Sequence, residues 1–131
     1  MLHKYKWIFN PYDGDVRISD AAAAILKRIR LGGEAGKFIS LKELDERIAP
    51  VEQKSPIFPT SAGIWTNKGD TLIEFYVDEP GQAQLPRIIT ASEPVFGYAA
   101  CQAIAAWRFT PPLKNGRPVV VKLRVPVDFK R

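Results

Sequence analysis

One cysteine and one histidine in 131 residues leave several kinds of chemistry without their parts. Cys101 has no second cysteine, so no disulfide forms within the chain. On the flank of an Ala-rich stretch it reads as a small buried hydrophobe rather than a reactive thiol. His3 has no histidine partner for a zinc site, and no Ser-His or Cys-His nucleophile can be assembled around it. Gly32-Gly33-Glu34-Ala35-Gly36 lacks the Lys-Ser/Thr ending of a phosphate loop and opens no helix. Acidic groups are few: Glu43, Asp45 and Glu46 read as a solvated face, and Asp78-Glu79 sits in a turn. No catalytic residue, metal or other cofactor is therefore expected. Long apolar runs are missing too. Met1 to Lys6 leads into only Trp7-Ile8-Phe9, which is neither a signal peptide nor a membrane span.

What is present is enough for a packed core: 46% of the residues are hydrophobic and 25% charged. The length fits one domain, or a small domain with an extension. The formal charge is +5. Lys27, Arg28, Arg30, Lys122, Arg124, Lys130 and Arg131 supply a basic surface. The aromatic residues fall mostly on the core side of their elements instead of between these cations. A solvated basic face is expected, and nucleic-acid binding is the weaker reading.

Lys4 to Phe9 alternates bulk with charge and predicts a short strand. Asn10 to Gly14 is a turn, and Val16 to Ile18 a second extended piece. Ser19 is a suitable N-cap for a helix over about residues 20–31, with Ala22, Ile25, Leu26 and Ile29 on one face and Gly32-Gly33 as its stop. Lys37 to Leu41 predicts a short strand and Leu41 to Arg47 one or two helical turns. Ala49 to Pro56 carries two prolines and no period, which predicts an extended linker. An N-terminal extension over residues 1–47 and a domain over 48–131 follow.

Within that domain, Phe58 to Ile64 predicts a short helix with proline early in it. Thr71 to Asp78 alternates as a strand, with Thr71, Ile73, Phe75 and Val77 on one side. Glu79-Pro80-Gly81-Gln82 suits a type II turn, and Ala83 to Ala91 returns as a strand that Pro86 interrupts. Ser92 is placed to cap a helix over Val95 to Arg108 that turns Phe96, Ala100, Ala103, Ile104 and Trp107 to one face. Asn115-Gly116 makes a turn. Val119 to Phe129 then alternates, and Pro126, which lacks an N–H, marks this strand as a sheet edge. An edge of this kind is a template for another chain. Proline at Val121 or Lys122 is expected to remove such pairing.

Three groups of residues together resemble the TonB C-terminal domain family. They are Ser55-Pro56-Ile57-Phe58-Pro59 with Ala62 and Gly69; Phe75-Tyr76-Val77-Asp78-Glu79-Pro80-Gly81; and Ala99-Ala100 through Trp107-Arg108-Phe109-Thr110-Pro111 to Asn115-Gly116-Arg117-Pro118-Val119. The resemblance spans about residues 48–129. It implies an α+β fold, a three-stranded antiparallel sheet with two helices packed on one face, here with an N-terminal extension that contains a helix.

It also implies a role. The domain would be the periplasmic end of an inner-membrane-anchored energy transducer. Its last strand would pair with the N-terminal box peptide of a TonB-dependent outer-membrane transporter. The residues carried over are Val119, Val120, Val121, Lys122, Leu123, Arg124 and Val125 on that strand, with Ser55, Phe58 and Pro59 near the transporter contact. Phe58 stands where the family usually has tyrosine. Inner-membrane proton-channel partners would be reached only through an anchor outside these residues, and two copies pairing edge to edge would give a homodimer. A stand-alone envelope adaptor that docks through Ser19 to Gly33 is the alternative.

Overall fold

The computed structural model describes residues 5–10, 14–60 and 66–131, the first strands by their backbone. The chain divides into two compact units, 1–38 and 39–131.

In the first unit, β1 (Tyr5–Asn10) and β2 (Gly14–Ser19) form an antiparallel hairpin, as the alternation suggests. Helix α1 (Asp20–Leu31) follows directly. The Ser19 hydroxyl accepts a hydrogen bond from the Ala22 N–H at 3.1 Å, so it is the expected N-cap. Gly32, with φ of 63°, ends the helix. Arg28 then gathers the turn beyond. Its Nε donates to the Ala35 carbonyl, its Nη2 to that of Lys37, and its guanidinium lies 4.1 Å from the Phe38 ring centre.

The second unit starts earlier than the boundary expected at residue 48, because the chain from Ile39 onward is tied into it. Ile39 makes one parallel bridge to Val121 where a strand was expected. Leu41–Glu43 is a single 3-10 turn in place of the longer helix, closed by the Glu43 carboxylate on the Ser40 N–H. The expected linker is also tied down. Pro50–Glu52 is strand β3, paired with β6 (Arg108–Phe109).

The core is built on a three-stranded antiparallel sheet in the order β5 (Ala83–Ala91), β4 (Lys68–Val77), β9 (Val121–Lys130). The register between β4 and β9 runs without a shift from Lys68 opposite Lys130 to Val77 opposite Val121. On one face Ile73, Phe75 and Val77 are fully buried beside Val121, Leu123, Val127 and Phe129. Helix α2 (Pro94–Ile104) covers that face over β4 and β5, inserting Phe96, Ala100 and Ile104. Gly69 leaves room for this: a Cβ there would meet the Phe96 ring at 2.4 Å. The class is α+β. The short helix expected over residues 58–64 lies largely outside the described residues; Phe58 and Pro59 are in no regular element.

Helix α2 stops sooner than the periodicity implies, and Ser92 does not cap it. The Ser92 hydroxyl accepts instead from the Asp70 N–H at the start of β4. Trp107 lies beyond the helix and is 6% exposed. Its ring packs against Phe75 and Phe109, its carbonyl accepts from the Ala83 N–H, and its indole N–H donates to the Lys54 carbonyl at 2.8 Å. One side chain therefore joins the core, the start of β5 and the segment before Ser55.

The β4–β5 turn differs by one residue from the type II expectation. The Gly81 N–H donates to the Asp78 carbonyl, so Glu79 and Pro80 are the central pair. The buried Asp78 carboxylate accepts from the N–H groups of Gly81 and Gln82 and from the Gln84 side chain. Gly81 has φ of 103°, and a Cβ there would meet the Phe109 carbonyl oxygen at 2.0 Å. Further along β5, Leu85 has φ of 52° and the pairing shifts between Glu74 and Tyr76, the irregularity foreshadowed by Pro86. A tight hairpin of β7 (Leu113–Lys114) and β8 (Arg117–Pro118), turning at Asn115-Gly116, leads into β9.

Two substitutions test this packing. Trp107→Ala should lower unfolding free energy by about 3–5 kcal/mol in urea titrations; a loss below about 1 kcal/mol would contradict the tie between core and segment. Gly81→Ala should cost at least about 2 kcal/mol, since both the left-handed φ and the Phe109 carbonyl oppose it; a stability equal to the parent would contradict the turn geometry.

Candidate functional site

β9 forms one edge of the main sheet, as Pro126 suggests. The direction of its backbone groups follows from one bond. The Lys122 N–H points away from β4 and donates to the Ile39 carbonyl at 2.9 Å. With the two-residue period of a strand, the N–H groups of Arg124, Asp128 and Lys130 point the same way, and so does the nitrogen of Pro126. Proline therefore sits where no ladder bond to β4 is lost. Val121, Leu123, Val125, Val127 and Phe129 turn their backbone groups to β4. Among the described residues, only Ile39 pairs with the outer side of β9. The other edge, along β5, is broken by the Leu85-Pro86 irregularity.

The seven residues expected on the pairing strand are not equivalent. Val119 and Val120 precede β9, and the Val119 N–H donates to the Pro112 carbonyl. Val121 and Leu123 are core residues, and Val125 is half-buried on the same side. Proline at Val121 would break the core ladder, and the Lys122 N–H is already engaged by Ile39, so neither position tests edge pairing. Lys122 and Arg124 are exposed. They lie on the sheet face opposite α2, where they meet Glu74 of β4.

Glu74 is the hub of this outer face. Arg87 of β5 bonds its Oε1 at 3.0 Å, Arg124 bonds its Oε2 at 3.0 Å, and Lys122 lies 3.8 Å from Oε1. The Glu74 side chain is 4% exposed, yet its cover is two arginines that are themselves 65% and 53% exposed. Burial pushes the carboxyl upward. The Arg124 and Arg87 hydrogen bonds and the Lys122 charge outweigh this and hold it below the ordinary 4.5.

Ser55, Phe58 and Pro59 do not join that edge. Ser55 is exposed and lines a groove with Lys54, Ile57, the Ala99, Gln102 and Ala103 side of α2, and Ala106 just beyond it. Phe58 is half-buried between Phe96 and Phe129, edge-on to both, and under the Arg131 guanidinium at 4.4 Å. It is a packing residue, for which a hydroxyl is not needed. Pro59 is half-buried beside it, on the groove side next to Tyr98.

Asp45 is a contributor that reading the sequence missed. Its carboxylate accepts from the Asn115 and Gly116 N–H groups at 2.8 Å each, and its own N–H donates to the Leu113 carbonyl. The bonds from Gly116 and Asn115 stabilise the carboxylate and hold its pKa below the usual value. The Asn-Gly turn was legible in sequence; the carboxylate that holds it lies about seventy residues away and was not.

Together these elements define a small α+β domain that covers one sheet face with a helix and whose β9, among the described residues, has no strand partner on its outer side beyond Ile39. The chain belongs to the family of Gram-negative bacterial TonB protein C-terminal domains, whose model matches residues 54–131. The solution structure of the Pseudomonas aeruginosa TonB C-terminal domain has the same fold, with a TM-score of 0.58 and 24% identity over 73% of this chain and 96% of that one. No curated protein gives a significant match.

The Glu74 hub makes a pH prediction. Because its carboxyl is lowered in the folded state, the unfolded chain takes up the proton first as pH falls. Its contribution to stability is complete above 4.5 and is lost as pH drops through the folded value. Stability measured between pH 7 and 3 should fall less steeply for Glu74→Gln than for the parent. Parallel curves would contradict the hub.

Proposed function

We propose that this domain acts as a periplasmic protein-interaction module that receives the N-terminal peptide of an outer-membrane transporter as an added strand along β9. The observation that carries the reading is the outward-facing backbone of Arg124, Asp128 and Lys130 on a regular, otherwise open edge. Membership of the TonB C-terminal family supports the assignment of partner and compartment. The strand is anchored rigidly by its other side, so a partner meets a preformed template. Each added hydrogen bond contributes about 0.5–1.5 kcal/mol net, less the cost of ordering the peptide, which suits a contact that is made and released repeatedly. In this role the transducer's anchor would connect the domain to the inner-membrane proton channel.

Ser55 and the groove beside α2 are assigned a secondary contact with the transporter, and Phe58 and Pro59 the task of shaping that groove. Val119 and Val120 position the start of the strand, while Val121, Leu123 and Val125 hold it against the core. Pairing of two copies through the same edge would compete with the transporter peptide.

The test removes one outward N–H. Asp128→Pro should weaken binding of synthetic transporter N-terminal peptides at least tenfold, read by fluorescence anisotropy, while the circular dichroism spectrum stays that of the parent. Unchanged affinity in a folded Asp128→Pro protein would overturn strand addition at this edge.

A further inference from the structure

Beside β9 lies a hollow that the chain's own side chains leave unfilled. Helix α2 covers the core side of the sheet over β4 and β5, and next to β9 the 3-10 turn at Leu41 and the half-buried Ile48 take its place. Between them is a cavity of about 450 Å³, lined by Leu41, Lys42, Arg47, Ile48, Phe109 and Leu123. Leu123 and the half-buried Phe109 are core residues seen from outside, while Leu41 is 44% exposed. Four apolar side chains around one concavity suit an apolar occupant. The two polar members are both cations. Among the described residues neither Lys42 nor Arg47 is in an ion pair, and no carboxylate lines the cavity.

The cavity is continuous with the strand edge. Ile39 pairs on the outer side of β9 at Val121 and takes the Lys122 N–H, and two residues later Leu41 lines the cavity. Beyond Ile39 the first outward N–H is that of Arg124, and Val125 beside it turns its side chain to the core face. A residue of an added strand opposite Val125 would stand on that same face. Its Cβ would lie about 4.5–5.5 Å from that of Val125 and about 7–8 Å from that of Leu123, within reach of aromatic and long side chains. We propose that the strand received at β9 carries an aromatic residue opposite Val125, whose ring enters the cavity over Leu123. This rests on the strand-addition reading above and names the side chain that the edge selects. Phe109 already stacks on Phe75 and meets Trp107 edge-on, so the incoming ring extends an aromatic group of the core. Lys42 and Arg47 favour a ring over an aliphatic chain, because its face carries negative charge density.

The groove beside α2 supplies the control. Ile57 and Tyr98 line it and are 84% and 66% exposed, more than Leu41. A ring drawn merely to exposed apolar surface would go there, whereas a ring carried by a strand on β9 goes to the cavity at Leu41.

The experiment takes the full chain and synthetic peptides of alternating valine and threonine, both strand formers, in which each valine in turn is replaced by phenylalanine or by alanine. Dissociation constants are read by fluorescence anisotropy. At one position, toward the peptide end that meets Ile39, the Phe peptide should bind about tenfold more tightly than the Ala peptide. That preference should fall to less than about threefold in Leu41→Gln, checked for folding by circular dichroism, and persist in Ile57→Gln. In the parent, NMR cross-relaxation should connect the Phe ring to the methyl groups of Leu41 and Ile48. Equal binding of the Phe and Ala peptides at every position would overturn the aromatic assignment and leave strand addition standing. A preference lost in Ile57→Gln and kept in Leu41→Gln, or ring contacts only to Ile57 and Tyr98, would move the ring to the α2 groove and overturn the cavity's role. Failure of every peptide to bind would overturn strand addition itself.

Discussion

The uninterrupted register between β4 and β9 is the constraint on which the other features depend. Because the side chains of a strand alternate, a slip of one residue would exchange the two faces. Phe75 and Leu123 would leave the core, and Glu74 and Arg124 would enter it. The register also decides which backbone groups of β9 face outward, and so what kind of edge the domain presents. Core and candidate site are thus one choice made once, at the pairing of two strands distant in sequence.

Several devices hold that choice in place. At one end, Phe58, Phe96 and Phe129 pack together over the space that Gly69 leaves, and Thr71 bonds the Val127 carbonyl. At the other, Phe75, Trp107 and Phe109 pack together, and the turn held by Asp78 brings Gly81 against the backbone of Phe109. On the outer face, Arg87 and Arg124 reach Glu74 from opposite sides and tie all three strands at one level. The N-terminal end of β9 is fixed by the Ile39 bridge and by Asp45 on the Asn115-Gly116 turn. All but the Phe75, Trp107 and Phe109 group reach β9 or the turn before it, and of these only Ile39 lies on its outer side.

Much of this was legible in the residues. Alternation placed the faces of β4 and β9, and Pro126 marked the edge, because both signals are local. Ser19 was legible as a cap for the same reason. The failures share a cause. Ser92, Trp107 and Asp45 each have side-chain or backbone partners from distant segments, so local rules for caps, helix faces and charged patches assigned them to the wrong neighbours. Residues 49–56 read as a linker because prolines and a missing period describe an extended chain equally well whether it is free or paired. The Glu74 hub was invisible for want of the cross-strand register, although every member was in view as a charged residue.

Family resemblance and physical reading met at the same strand but divided its residues differently. The resemblance puts Ser55, Phe58 and Pro59 near the transporter contact expected of β9. The geometry separates a packed Phe58 and a groove-lining Ser55 from an edge whose outward N–H groups begin, beyond the Ile39 bridge, at Arg124. Amide hydrogen exchange of the full chain, followed residue by residue by NMR with and without a transporter N-terminal peptide, tests that division directly. The account predicts new protection at Arg124, Asp128 and Lys130, with the β5 edge unchanged. Protection confined to β5 or to the α2 groove, with those three amides exchanging as before, would contradict it.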